Sequence, residues 1–475
     1  MTVATEGPDI TGDARTLTEM LRRAGRTDFE AWERQVRGCG YCARPVRLRG
    51  RLVRTHTDGR VEAWSTASQP DQVLLVRCGN RRAVVCPSCS YEYAGDMWQL
   101  LYAGTVGGRK GVPDTVRAHP AVFLTLTAPG FGPVHTTRTD RGGRRARCRP
   151  RRARTVCPHG RPDWCQALHA EDAPALGTPL CPDCYDYQAH AAFNWWAPEL
   201  WRRFTIQLRR ALAARLGLSE RGLRSVVVPQ YAKVAEFQRR GVVHFHAILR
   251  LDGPGDDYPP PGATVPTDVL EDAVRAAASR VRLVVGPLRE DAAALALRFG
   301  DQTDVTPLRD VAGGPITPER VAAYVAKYAT KSAEDFGLGG GRIHPGALAG
   351  LGLSAHVERV LHACWELGEH PEHEAARRWL HMLGFRGHFS TKSRRFSTTL
   401  GRLRAARAGY RRANRSVGAR ELGSEADDDT TLVVASWEFA GIGYRTTGDA
   451  ARALAAAARA REHREAARDA QTCSD

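Results

Sequence analysis

Two strand-length apolar runs, residues 225–237 and 242–251, are joined through Arg239-Arg240-Gly241. Runs of this length separated by a short glycine-containing step read as a β-hairpin, which commits this part of the chain to an antiparallel sheet. Side chains alternate along a strand, so His244 and His246 fall on one face and Phe245 on the other. If Gly241 takes the left-handed position of a three-residue loop, residue 236 lies opposite residue 244, and Glu236 joins the histidines' face. A four-residue loop would turn that carboxylate away. Two neutral imidazoles and a carboxylate suit a divalent cation with open coordination positions. A His-x-His pair taken alone reads more readily as two satisfied strand histidines, and it is the neighbouring Glu236 strand that shifts the weight.

A second pattern lies downstream in Tyr324-Val-Ala-Lys327-Tyr328-Ala-Thr-Lys331. Thr317 and Pro318 form a helix start, and the apolar spacing carries a helix toward Gly337. At 3.6 residues per turn Tyr324 and Tyr328 share a face, with Lys327 and Lys331 together nearby. The chain has only five lysines among its 69 basic residues, and two of them fall here, each three positions after a tyrosine. A phenol has a pKa near ~10 and attacks only when its oxyanion is favoured, which a cation one turn away assists. The same pattern is otherwise an amphipathic helix with snorkelling lysines.

Taken in order, Phe123-Leu-Thr-Leu-Thr127, then Glu236 with His244-Phe245-His246, then YVAKYATK resemble the three motifs of HUH endonucleases. These comprise rolling-circle replication initiators, relaxases and related transposases. The double Tyr-x-x-Lys is similar to that of initiators from isometric single-stranded DNA phages. The cysteine-rich inserts and the segment LGFRGHFSTKSRRFSTTLGRLR resemble actinobacterial plasmid initiators. The resemblance implies metal-dependent single-strand nicking, with His244, His246 and Glu236 holding Mg²⁺ or Mn²⁺ at the scissile phosphate. Tyr324 or Tyr328 would attack, leaving a 5′-phosphotyrosine and a 3′-hydroxyl primer. Lys327 and Lys331 would stabilise phosphate charge or tune the phenols.

Twelve cysteines in a chain with no apparent secretion signal point to metal rather than disulfides. Cys39-x₂-Cys42 and Cys86-x₂-Cys89 have zinc-ribbon spacing, with Cys78 a spare ligand. A second Zn²⁺ site would combine Cys181 and Cys184 with Cys157 and Cys165, with Cys148 and His159 as alternatives. Both would be structural, because such closed shells leave no position for substrate.

A formal charge of +17 favours a polyanionic partner, and DNA is the expected one. The arginine run from 138 to 154, including Arg144, Arg145 and Arg147, and the pair Arg394 and Arg395 are candidate phosphate contacts. An arginine run reads equally as a solvated loop. No window approaches ~18 uncharged apolar residues, and a basic leader is lacking, so the expectation is a cytoplasmic protein that neither crosses nor binds a membrane. No Walker-type phosphate loop is found, so a host helicase, with a host polymerase, would have to be recruited.

The expected fold class is α+β. A zinc-ribbon region (1–115) precedes an antiparallel, ferredoxin-like HUH domain (116–345) interrupted by a zinc-binding insertion at about 135–187, and a basic helical region (346–475) follows. The histidine pair is expected on a central strand, with the tyrosines on a helix facing it. The expected function is plasmid rolling-circle initiation. A two-tyrosine HUH transposase and a non-catalytic zinc-ribbon regulator are the alternatives.

Overall fold

The computed structural model describes residues 13–262, 265–288, 293–308, 317–328, 336–338, 341–420 and 430–472. In chain order its main elements begin with α1 (Ala14–Ala24), β1 (Val46–His56), β2 (Val61–Ser65), β3 (Leu74–Val76) and β4 (Ala121–Leu126). Then come α2 (Tyr187–Arg215), β5 (Val228–Phe237), β6 (Val243–Asp252), α3 (Thr267–Arg280) and β7 (Thr303–Pro307). The series closes with α4 (Pro318–Tyr328), α5 (Ala355–Leu367), β8 (Ser390–Lys392), β9 (Thr430–Ile442) and α6 (Thr447–Thr472). They form two units, one from Met1–Asp96 with Gly401–Asp475, the other from Met97–Leu400.

The Met97–Leu400 unit is built on a five-stranded sheet in the order β7-β4-β6-β5-β8, every neighbouring pair antiparallel. Its middle strand, β6, carries the two histidines. Both faces of β6 are buried over nearly all of its length, as a central strand requires, but only the Phe245 face is apolar throughout. The Phe245 face packs on α2, whose Phe193, Leu200, Phe204 and Leu208 form a buried stripe, with Trp201 5.8 Å from Phe245 between ring centroids. Asp186 caps that helix, its carboxylate accepting the Ala189 N–H at 2.9 Å. On the opposite face the far end of β6 holds Arg250 and Asp252, paired at 2.7 and 2.8 Å, with Asp252 also 2.8 Å from His119. The near end of that face is left for His244 and His246.

The second unit has a sheet in the order β9-β1-β2, with β3 also paired to β1. Its core is small: Trp32, Val36, Val73 and Leu75 pack with four cysteines and Ala453. α1 and α6 are pinned by Arg23, which donates to Asp449 at 2.7 and 2.9 Å and to Asp71 at 2.7 Å.

The expected basic helical region at 346–475 is corrected at three points. The region after 345 is neither separate nor wholly helical: β8 pairs with β5, and Phe385, Phe389 and Phe396 are buried in the Met97–Leu400 unit. The 13-residue β9 pairs along β1. Its alternation was hidden because Leu432, Val433, Val434, Trp437 and Phe439 are all exposed, so no apolar/polar period marks it as a strand. The closing helix α6 is packed: Ala451, Ala453 and Ala457 are buried and Arg452 donates to the Met20 carbonyl at 2.8 Å.

Candidate active site and metal-ligand groups

The hairpin turn decides where the site's carboxylate points. Gly241 has φ +80°, the left-handed position, and its N–H donates to the Gln238 carbonyl at 2.7 Å. Glu236 therefore pairs with His244 across the ladder and shares its face. The turn is clamped from α2: Asn194 donates to the Gly241 and Leu383 carbonyls at 2.9 and 2.8 Å and accepts from the Val243 N–H at 2.9 Å. His190 and His356 add contacts to the Gly241 and Arg240 carbonyls at 3.1 and 3.0 Å. Sequence reasoning missed these three residues. The signal was there for Asn194, a polar side chain at the centre of an apolar helical stripe. Asn194→Ala strips two wholly buried backbone groups, Val243 N–H and Leu383 C=O, of this partner and should cost about 3 kcal/mol in a denaturant titration.

His246 Nε2 lies 3.1 Å from His244 Nε2 and 3.4 Å from a Glu236 carboxylate oxygen. Metal bonds of ~2.1 Å place neighbouring octahedral ligands ~3 Å apart, so the donor set fits one small divalent ion. The other ring nitrogens are held by the neighbouring strand and its continuation: Thr125 Oγ1 is 3.1 Å from His246 Nδ1, and Thr127 Oγ1 is 3.4 Å from His244 Nδ1. Those hydroxyls fix which nitrogen faces the centre. Burial, then the adjacent His246 and Arg240, push the His244 imidazole down to about 4 against the pull of Glu236. At neutral pH its lone pair is free to bind metal.

Both tyrosines reach this centre. The ring centroids of Tyr324 and Tyr328 lie 5.5 and 5.2 Å from that of His246 and 4.8 Å from each other. Phe123 stacks on His246 at 5.7 Å and meets Tyr324 edge-on at 5.8 Å. Val321, Ala322, Val325 and Ala326 bury the other side of α4, which leaves Tyr324 43% exposed. Lys327 is exposed on the same helix; Lys331 lies outside the described residues.

The cysteines assemble differently from the expected sets. Cys42, Cys78, Cys86 and Cys89 form one group, with Cys42–Cys86, Cys42–Cys89 and Cys78–Cys89 sulfur separations of 3.7 Å. A tetrahedron with ~2.3 Å zinc–sulfur bonds has edges of ~3.8 Å. Cys39 is outside it: it caps the helix Phe29–Gly38 and turns its thiol back to the Val36 carbonyl at 3.3 Å. Cys78 takes its place. A second group joins Cys157, Cys181 and Cys184 to His159, whose Nδ1 is 3.2 Å from Cys184 Sγ. Cys165 lies apart from that group, because its backbone pairs with Arg149.

Of the arginines, Arg144, Arg145 and Arg147 are exposed around a two-stranded turn, and Arg147 donates to Gln166 at 2.9 Å. Arg394 is exposed, while Arg395 is paired with Asp256 at 2.8 Å. No helix among the described residues is long and apolar enough to cross a membrane.

Residues 28–460 match the family model described as RepSA, replication initiator protein, pSAM2. The chain belongs to this replication initiator family. It is 46% identical over 473 residues to a "Replication initiator protein" of Streptomyces ambofaciens, covering 98% of this chain and 97% of the relative. No solved structure matches it. The family match spans the histidine strand and the tyrosine helix as well as the first cysteine group.

Proposed function

We propose that this replication initiator is a plasmid rolling-circle nickase of the HUH type, its five-stranded sheet a ferredoxin-like variant that presents His244, His246 and Glu236 to α4. The observation that carries this reading is the convergence of three metal-ligand atoms and two tyrosine rings at one end of a central strand. Glu236, His244 and His246 would hold Mg²⁺ or Mn²⁺. When bound, such an ion polarises the scissile phosphate and offsets charge developing on it.

The remaining work falls to the chain's own side chains. Tyr324 or Tyr328 attacks phosphorus through its phenolic oxygen; the Tyr O–P bond forms as the P–O3′ bond breaks. The phenol gives up its proton, and the departing 3′-oxygen takes one up to become the hydroxyl that primes synthesis. Religation is the reverse displacement by a 3′-hydroxyl. The second tyrosine is placed to attack the regenerated junction after one round and close the displaced circle. Lys327 and Lys331 favour the phenolate or the phosphate charge.

Zn²⁺ at the Cys42/Cys78/Cys86/Cys89 and Cys157/His159/Cys181/Cys184 groups is structural in this reading. Arg144, Arg145, Arg147 and Arg394 would contact origin DNA along its phosphates, with salt-dependent affinity. The protein would act in the cytoplasm with a host helicase and polymerase.

The test is a denaturing gel of purified protein with labelled single-stranded origin DNA and Mn²⁺. The expected result is a covalent protein–DNA band that EDTA abolishes. Tight DNA binding with no adduct under any divalent metal would replace this reading with that of a non-catalytic DNA-binding regulator.

A further inference from the structure

We propose that His135, Cys148, Cys165 and His169 form a third Zn²⁺ site, and that this ion holds one wall of an arginine-lined groove beside the histidine pair. The four donor atoms lie within 4.8 Å of one another. His135 Nδ1 is 3.1 Å from His169 Nε2, Cys165 Sγ is 3.5 Å from the same nitrogen, and Cys148 Sγ is 3.9 Å from His135 Nδ1. Tetrahedral zinc with ~2.0–2.1 Å nitrogen bonds and ~2.3 Å sulfur bonds puts such donors ~3.4–3.6 Å apart. The Thr136 N–H also donates to Cys148 Sγ at 3.2 Å, which holds that sulfur toward the other three donors.

Apart from the Cys157/His159/Cys181/Cys184 group, the surrounding chain has little apolar packing to hold it. Cys148 is the one buried residue between positions 136 and 175. Backbone pairing of Arg149 with Cys165, at 2.9 and 3.0 Å, brings the donors together from three separate stretches. About forty residues without an apolar core keep a defined path when a metal supplies the missing free energy.

His135 and Arg149 also line a groove of about 590 Å³ that includes Thr127, the residue hydrogen-bonded to His244. Arg239, Arg240 and Arg298 line it too, against one carboxylate, Asp301, which pairs with Arg298 at 2.7 Å. That excess of guanidinium suits the phosphates of a single strand running toward the histidines. The groove's occupant rests on the nickase reading; the zinc site does not.

Native mass spectrometry of the full chain should show Cys165→Ser and His169→Ala each carrying one Zn²⁺ fewer than the unsubstituted protein. In the unsubstituted protein, partly exposed Cys165 should react with N-ethylmaleimide only after a chelator is added, a readout independent of any variant's folding. Unchanged zinc counts in both variants, equal alkylation with and without chelator, or a Cys148–Cys165 disulfide would overturn the site. Binding of a single-stranded oligo-dT probe should weaken roughly 3- to 10-fold in Cys165→Ser and in Arg149→Ala alike. Undiminished binding by the zinc-depleted variant would overturn the groove's dependence on the ion. None of these measurements involves cleavage, so they stand apart from the test of nicking.

Discussion

A chain carrying both Tyr324→Phe and Tyr328→Phe should form no covalent adduct with origin DNA, a loss of at least ~10³-fold, while its affinity for that DNA changes by less than about twofold. The substitution removes two oxygens and leaves both rings, so the edge contacts with Phe123 and His246 and the stacking order at the centre persist. What disappears, on the nickase reading, is the nucleophile. The single variants divide the labour. If one tyrosine opens the origin and the other closes the circle, one variant loses adduct formation and the other keeps it but fails to release closed circles. A Tyr328→Phe protein that nicks and closes normally would leave Tyr324 as the sole nucleophile. An adduct surviving in the double variant would place the attacking group elsewhere.

Cys86→Ser should unfold the unit built from both chain ends and leave Met97–Leu400 folded. Four of the nine buried residues in that unit's cysteine-lined core are cysteines, and its sheet leaves many apolar side chains exposed. Apolar burial on that scale does not offset the ordering of a domain, whereas a structural zinc contributes on the order of 10 kcal/mol. Limited proteolysis is the measurement: rapid digestion of the two terminal segments with survival of a fragment near 97–400 is expected, from the variant and from the chelated parent protein alike. Survival of all segments after metal removal would mean that the core holds without an ion.

The parts of the molecule legible in the sequence are those governed by local rules. Strand alternation put His244 and His246 on one face, whereas Glu236 joined them only if the Arg-Arg-Gly turn had three residues, and the observed register is the one that turn demands. Helical spacing placed Tyr324 and Tyr328 together, and they are 4.8 Å apart. The rest depended on long-range pairing that no local pattern encodes. Cys78 replaces Cys39 because the helix end at Gly38 directs the Cys39 thiol back to Val36. Cys165 joins His135 and His169, not Cys181 and Cys184, because of a backbone bridge to Arg149. The role of Thr125 and Thr127 needed the register of β4 on β6, although both residues sit in a motif plain from sequence.

The pairing of β1 with β9 gives the protein a timetable. At ~5–20 residues per second, roughly 20 to 80 seconds separate synthesis of β1 from synthesis of its partner. Throughout that interval the Met97–Leu400 unit can emerge and fold, while one edge of β1 has only solvent or a chaperone to satisfy it. Chains that terminate between Leu400 and β9 therefore carry a complete histidine–tyrosine centre and an unfinished cysteine unit.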